Sequence, residues 1–232
     1  MMKLFDLAAR DDKIRFSPFC WRTKMALRHK GLAFETIPWR FTEKDRVSQT
    51  GQGRVPVLID GERWVHDSWQ IALYLDRTYP DRPALMKTDG ERAAARFMNF
   101  WCDLTFHLAL RGLLFLDVIA MAADKDKSYF RESREKALGV TLEEACGDRE
   151  EAIRALTKTL APIEATLGEN DFFGGAHPNY SDYVLFGSLQ WAHVVSGTIF
   201  AAPDSATAKW FERILDLNDG FARAAPTARA AA

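Results

Sequence analysis

Hydrophobic spacing divides the chain into two unlike parts. Over the first stretch, up to about Tyr79, the period changes often. Lys3 to Leu7 is a short apolar run that predicts a buried strand. Ser17-Pro18 opens a helix, because serine is a good N-cap and proline suits the first helical position. Trp21, Met25 and Ala26 share one face of that helix. Arg28-His29-Lys30-Gly31 ends it, with basic residues in the last turn and glycine just beyond. Ala33 to Trp39 has strand composition, whereas residues 40–54 are poorly patterned. Val55 to Ile59 reads as another strand, Asp60-Gly61 as a tight turn, and Arg63-Trp64-Val65 as the returning hairpin strand. Asp67-Ser68 then caps a helix carrying Trp69, Ala72, Leu73 and Leu75. The order is βαβ followed by ββα. A helix between the first two strands predicts that they pair in parallel; the tight turn makes the second pair antiparallel.

From Glu91 the pattern is helical almost throughout. Glu91 to Ala123 is long and rich in aromatics, one kinked helix or two. Ile153, Leu156, Leu160, Ile163 and Leu167 recur at spacings of three, four, three and four, an amphipathic helix. Asn179 begins another, with Asp182 at the third helical position in a variant of the capping box. Trp210, Phe211, Ile214 and Leu215 mark a last helix, and the alanine-rich end from Ala224 is expected to be loosely packed. Pro80 and Pro83 punctuate the junction. The domains expected are residues 1–82, a linker over 83–90, and an all-helical domain over 91–232.

Composition narrows the function. The 232 residues suit two small domains sharing an interface. With 31 basic against 32 acidic residues, the net charge of -1 gives no electrostatic case for a nucleic-acid or membrane partner. The start, Met1-Met2-Lys3-Leu4-Phe5-Asp6, lacks the apolar core of a secretory signal. Three scattered cysteines, Cys20, Cys102 and Cys146, fit reduced thiols and a cytoplasmic location better than a disulfide framework. No Cys/His cluster has metal-ligand spacing, so no metal is expected.

Three short segments carry candidate chemistry. Ser17 stands at a helix N-terminus, where main-chain N–H groups and the helix dipole favour an anion; its hydroxyl can donate to a thiolate and lower a thiol pKa. Read alone, it is an ordinary N-cap. Cys20 sits where a Cys-x-x-Cys motif has its second, buried cysteine, which makes it structural in the first reading and a redox thiol in the second. Val55-Pro56 puts a proline at the start of a pairing strand, which suits either a solvent-facing edge or a ligand beside the main chain. Asp67-Ser68 offers a carboxylate for an α-ammonium and a helix-start hydroxyl and N–H for a carboxylate, or is simply a doubled cap.

Together and in order, these segments resemble the cytosolic glutathione S-transferases over the whole chain. Ser17-Pro18-Phe19-Cys20-Trp21-Arg22-Thr23-Lys24-Met25-Ala26-Leu27 before Lys30-Gly31 is similar to that family's first-helix signature. Gly53-Arg54-Val55-Pro56-Val57-Leu58 resembles its cis-proline loop, and Asp67 to Asp76 its γ-glutamyl-binding helix. Gly174-Gly175 with Pro178-Asn179-Tyr180-Ser181-Asp182-Tyr183 resembles the capping-box segment of its helical domain.

The resemblance implies an α/β thioredoxin-like N-terminal domain joined to an all-α bundle. It further implies glutathione as cosubstrate, a homodimer and a detoxifying role. Ser17 becomes the thiol-stabilising hydroxyl. Val55 pairs through its main chain with the cysteinyl unit, Pro56 is cis, and Asp67 and Ser68 hold the γ-glutamyl end. Arg40 or Gln52 reaches the glycine carboxylate or nearby main chain, and Asp182 is structural. The second-substrate pocket falls to Phe16, Phe19, Trp101, Thr105 and Phe106, with core packing as the alternative for Trp101 and Phe106; His107 is either a pocket acid or a packed side chain. The Ser-Pro-Phe-x-Trp-Arg-Thr-Lys, Asp67-Ser68-Trp69 and Gly174-Gly175 segments resemble the bacterial β-aryl-ether-cleaving glutathione enzymes and their fungal relatives. Phe16-Ser17-Pro18 lacks the Ser-Ser-Cys run of the maleylacetoacetate-isomerase type. A thiol oxidoreductase working through Cys20, a glutathione-dependent isomerase and a non-catalytic binding or dimerisation module are the alternative functions.

Overall fold

A computed structural model describes residues 1–228. Four strands, β1 (Met2–Leu7), β2 (Phe34–Trp39), β3 (Val57–Asp60) and β4 (Arg63–His66), form one sheet in the order β2-β1-β3-β4. β1 and β2 are parallel, from Met2 beside Phe34 to Leu7 beside Trp39. β3 is antiparallel to both β1 and β4. This is the pairing expected from the crossover helix and the Asp60-Gly61 turn, where Gly61 takes a φ of 59°. α1 (Pro18–His29) makes the crossover and α2 (Ser68–Thr78) follows the hairpin. The unpatterned residues before β3 include a 3-10 turn, Lys44–Thr50. The β3 ladder starts two residues later than the sequence suggests: Val55 and Pro56 precede it.

The remainder is helical: α3 (Asp89–Trp101), α4 (His107–Met121), α5 (Asp124–Leu138), α6 (Leu142–Cys146), α7 (Arg149–Glu169), α8 (Tyr180–Ser196) and α9 (Ala206–Gly220). α9 leaves helical geometry at Leu217, Asn218 and Asp219. α3 and α4 form one continuous run, joined by a five-residue π-helical step at Cys102–Phe106 rather than by a kink or break. That run is long and apolar enough by length and composition to cross a membrane. In this fold its Phe106, Leu110, Leu113 and Leu114 are core residues, and α4 packs on α6, α7 and α8. The expectation of a loose end from Ala224 falls partly on residues 229–232, outside the described residues.

α8 is the spine of the helical half, buried at nearly every position. Its start is held by a full capping box: Asn179 Oδ1 accepts from Ser181 N at 2.8 Å and Asp182 Oδ2 from Asn179 N at 2.9 Å. Asp182 also accepts from Phe173 N and Trp210 Nε1, each at 2.9 Å, tying the Gly174-Gly175 loop and α9 to the same carboxylate. Burial pushes its pKa up to about 6 despite these donors.

α8 also docks the helical half onto α1. Gly187 is the point of closest approach, since a Cβ there would lie 2.3 Å from the Pro18 carbonyl oxygen and 2.9 Å from Arg22 Cγ. Behind it, His29 meets Tyr183 Oη at 2.7 Å and the Ala84 carbonyl at 3.1 Å. Lys30 Nζ pairs with Asp76 at 2.8 Å, and Asp76 in turn accepts from Leu85 N and Met86 N at 2.9 and 3.1 Å. The chain between α2 and α3 is thus clamped by α1, α2 and α8 together.

Candidate active site

The loop after β1 folds back on itself through Ala9 N to Ile14 O at 3.0 Å and Phe16 N to Leu7 O at 3.3 Å. This returns Ser17 to the C-terminal end of β1. Ser17 is the N-cap of α1, with φ −64° and ψ 125°, and Pro18 follows it, where a missing N–H costs nothing. Ser17 Oγ accepts from Cys20 N at 3.3 Å, so its lone pairs serve the helix. The first turn of α1 carries no acidic residue and the last turn carries Arg28 and His29. Nothing in that first turn offsets the positive end of the dipole.

The Val55–Pro56 peptide bond is cis. The β1–β3 ladder ends at the Phe5–Val57 pair, so the main chain of Val55 lies beyond the sheet's own hydrogen bonds. The loop leading to it is braced by Gln52, which donates to Thr50 Oγ1 and the Arg54 carbonyl at 2.8 and 3.0 Å and accepts from Arg54 N at 2.6 Å. All of its amide is used inside the loop. Arg40 is likewise engaged, with Asp12 at 2.5 Å and the Arg10 carbonyl at 3.2 Å. The cation set against this loop is one the sequence did not suggest. The Lys44 stem packs on Gly53, where an added Cβ would come within 2.9 Å of Lys44 Cγ, and its ammonium lies 4.5 Å from the Tyr129 ring centre.

Asp67 caps α2: its Oδ1 accepts from Trp69 N at 3.1 Å and Gln70 N at 3.0 Å. Its φ of 69° is one an L-residue rarely adopts. Such a backbone costs about 1–3 kcal/mol and persists where the surroundings impose it. Beside it, the Tyr180 hydroxyl, on the first residue of α8, donates to the Ser68 carbonyl at 2.8 Å. The carboxylate is exposed, and Oδ2 takes no hydrogen bond from the described residues. Ser68 is buried.

Residues 16–78 match the glutathione S-transferase N-terminal domain family and residues 93–221 match the glutathione S-transferase C-terminal domain family. The chain belongs to the glutathione S-transferase family. Glutathione S-transferase U28 of Arabidopsis thaliana is 30% identical over 183 residues, covering 77% of this chain and 70% of its own. A solved glutathione S-transferase of Ceriporiopsis subvermispora, CsGST83044 in complex with glutathione, shares the fold at a TM-score of 0.80 and 24% identity, covering 95% of this chain and 99% of its own. Glutathione transferase GSTFuA3 of Phanerochaete chrysosporium superposes at a TM-score of 0.76 with 25% identity, covering 96% and 93%. The small mixed sheet and helical bundle described above are therefore the thioredoxin-like and all-helical halves of a glutathione S-transferase.

In this transferase the residues suggested for a second-substrate pocket are differently placed. Phe19 is half-buried at the domain junction, its ring edge-on to His107 at 5.3 Å. Trp101 is half-buried and stacks on Phe106 at 5.6 Å. Phe16 and Phe106 are core side chains, 2% and 0% exposed, and Thr105 faces outward. His107 is buried, bonded to Ser188 at 3.0 Å, and held neutral by burial and by Arg22 and Arg111. It is packed, not poised as an acid.

A polar network under Phe19 went unseen in the sequence. Arg22, fully buried on α1, donates to Asp103 at 2.8 Å, and Asn99 donates to the other Asp103 oxygen at 2.7 Å. Asp103 lies in the π step. Arg22 guanidinium also lies 4.8 Å from the Phe19 ring centre, and its Nε and Nη1 find no partner among the described residues. Only the unusual run Arg22-Thr23-Lys24, three polar residues in a helix whose neighbours are buried, hinted at it.

Cys20 is wholly buried, and its thiol pKa is pushed well up by burial and by Asp6, with Ser17 only partly opposing. Cys102, also buried, is raised to about 12. Neither is a ready thiolate. Among the described residues no group of three or more His, Cys, Asp or Glu side chains is placed to hold a metal ion.

Proposed function

We propose that this glutathione transferase uses the Ser17 hydroxyl and the α1 N-terminus to hold glutathione sulfur as a thiolate for attack on an apolar, aromatic electrophile. The observation that carries the reading is the Ser17 cap: the hydroxyl oxygen accepts from Cys20 N at a helix start with no competing acid. A thiol of ordinary pKa, about 8.5, is only a few per cent ionised at neutral pH. A drop of about two units makes the thiolate dominant and corresponds to about 3 kcal/mol. One charge-assisted hydrogen bond, about 1.5–3 kcal/mol, plus the dipole, about 0.3–1 kcal/mol, is the right size.

The rest of glutathione is assigned along the same edge. The Val55 main chain beside cis Pro56 pairs with the cysteinyl unit, Asp67 takes the α-ammonium through its open Oδ2, and Ser68 takes the α-carboxylate. Arg40 and Gln52, each already engaged, leave Lys44 as the better cation for the glycine carboxylate. The electrophile lies against Phe19 and Trp101. For a β-aryl ether, a C–S bond forms as the C–O bond breaks and the aryloxide departs. The Ser-Pro-Phe-x-Trp-Arg-Thr-Lys segment, which resembles that of the β-aryl-ether-cleaving enzymes, supports that class. The burial of Cys20 weighs against a thiol oxidoreductase. The test is turnover with aryl ethers, enones and chlorinated aromatics, with retention on immobilised glutathione. Turnover that Ser17→Ala cuts by ~10-fold or more supports the reading; retention without turnover of any electrophile points to a non-catalytic module instead.

We also infer that the chain works as a cytoplasmic homodimer. Its cysteines are free, and Phe97, Phe100, Leu104 and Leu108 form an exposed apolar row along α3, the π step and α4. A second copy of the chain is the occupant that family membership favours.

A further inference from the structure

Phe16 and Phe19, which flank Ser17-Pro18, each lead to an arginine of the helical half. On one side, Phe16 meets Phe41 edge-on at 6.2 Å, and Phe41 meets Phe130 of α5 at 5.4 Å. Arg134 lies one helical turn after Phe130, its guanidinium 4.5 Å from the Phe130 ring centre and 5.1 Å from that of Phe41. On the other side, Phe19 meets His107 at 5.3 Å, and Arg111 follows His107 by one turn of α4. The two paths converge. Burial lowers the Arg134 pKa, and Arg111 together with Arg54, next to the cis Val55–Pro56 bond, pushes the same way while Tyr129 opposes.

The charges gathered here do not balance. Asp126 is spent on the loop after β2, accepting from Thr42 N and Oγ1 at 3.0 and 2.7 Å. Glu43 pairs with Lys125 at 2.7 Å and Arg46 at 2.6 Å, and Glu135 with Arg131 at 2.8 Å. Among the described residues no carboxylate stands at ion-pair distance from Lys44, Arg54, Arg111 or Arg134. Arg134 donates only to Ser133 Oγ, its neighbour in sequence, at 2.8 Å. Glutathione brings one carboxylate to this end, that of its glycine, and Lys44 is assigned to it. Arg111 and Arg134, on the helical side, remain without a counter-ion. Like charges drawn together in an aromatic-walled corner repel one another, and a corner of that kind suits an anion arriving from solution.

Resting on the Ser17 reading above, we propose that the electrophile selected by this transferase is an aromatic carboxylate, whose reactive ring lies against Phe19 and whose acid group is held by Arg134 and Arg111. Guanidinium forks match a planar carboxylate, and an arginine already packed on two aromatic rings loses little freedom on binding it. The reaction itself is that of the neutral substrates. Sulfur bonds to the ring carbon, and the halide or aryloxide on that carbon leaves with the electron pair.

The probes are 4-chloro-3,5-dinitrobenzoate and its neutral counterpart, 4-chloro-3,5-dinitrobenzamide, conjugated with glutathione by the full-length protein. Each kcat/KM is divided by the uncatalysed rate constant with glutathione, which removes the difference in ring reactivity. The acid is expected to exceed the amide by about tenfold or more at low salt, with the gap narrowing as salt is raised. Arg134→Gln and Arg111→Gln should each cut that preference, chiefly by raising the KM for the acid. Equal normalised efficiency for acid and amide in the parent overturns the proposal and leaves the Ser17 reading standing. A preference that neither variant changes also overturns it, since cations that only steady the thiolate act on both probes alike. So does a rise in the KM for glutathione instead of the acid, which moves the arginines to the glycine carboxylate. Turnover of neither probe removes the Ser17 reading and this inference with it.

Discussion

At Ser17 the two functions of one hydroxyl separate cleanly. Its oxygen caps α1 and, in the proposed function, its hydrogen serves the thiolate, so Ser17→Ala removes both. Losing the cap costs about 1 kcal/mol of stability, which leaves a folded enzyme. Losing the donor acts through thiolate population, which sets a pH signature. The variant is expected to lose ~10-fold or more in kcat/KM near pH 6.5, and the gap should close as pH approaches the free-thiol pKa of about 8.5, where thiolate forms unaided. A gap that stays constant over that range would assign Ser17 a purely structural place. Cys20 gives the contrasting expectation. Its thiol is fully buried and its pKa raised by burial and Asp6. Cys20→Ala should therefore cost stability through a small cavity, about 1 kcal/mol, and leave glutathione-dependent turnover within about twofold of the parent at matched folded concentration. Loss of activity in Cys20→Ala with retention in Ser17→Ala would reverse the two assignments.

The elements that place Ser17 are held from the helical half. Gly187 lets α8 approach so closely that a methyl group would meet the Pro18 carbonyl at 2.3 Å, and backbone cannot yield as a side-chain tip does. Gly187→Ala should cost about 1–3 kcal/mol from overpacking and push back the first turn of α1. Its kcat should fall while affinity for a γ-glutamyl fragment, held at α2, changes little. The start of α8 makes a pH prediction. Asp182 titrates at about 6 when folded, against 3.8 as its ordinary value. A raised folded pKa means that the folded state binds the extra proton, so the contribution is present at low pH and is lost as pH rises through about 6. Relative to Asp182→Asn, the parent should gain about 1 kcal/mol between pH 7 and pH 5 in denaturant titrations; a difference independent of pH would remove the cause assigned here. These caps and the hairpin were legible in sequence because their signals are local: Ser17-Pro18, Asp60-Gly61, Asn179 to Asp182. The π step was not, since its apolar residues read equally well as α-helix. Nor was α5 singled out, where Asp126 and Phe130 are the buried residues and no stripe is present. The Arg22–Asp103 pair spans two domains, and no local pattern announces a contact of that kind. The engagement of Arg40 and Gln52 likewise depends on where Asp12 and Arg54 fold.

For the whole molecule, the two halves act as one unit. The His29–Tyr183 contact crosses the junction, and the Tyr180 hydroxyl reaches across to the Ser68 carbonyl. In the proposed site, the helical half shapes the glutathione cleft without lending it a catalytic group. What the single chain leaves unsatisfied is its outer face. Phe97 is 72% exposed, Leu104 66% and Leu108 55%, in a row that a water-facing helix surface does not ordinarily carry. Arg96 lies 4.0 Å from the Phe100 ring centre and 4.9 Å from that of Trp69, linking this row to α2 and hence to the helix that begins at Asp67. In the proposed dimer, a partner pressed on the row buttresses the helix assigned to the γ-glutamyl end. Replacing Leu104 by Glu puts a charge in the middle of the row without disturbing the core, since Leu104 faces outward. Sedimentation at micromolar concentration should then show monomer where the parent shows dimer. The KM for glutathione should rise while thermal stability of the monomer changes little. If Leu104→Glu stays dimeric, the row is not the contact. If it dissociates with an unchanged KM, the contact does not support the site.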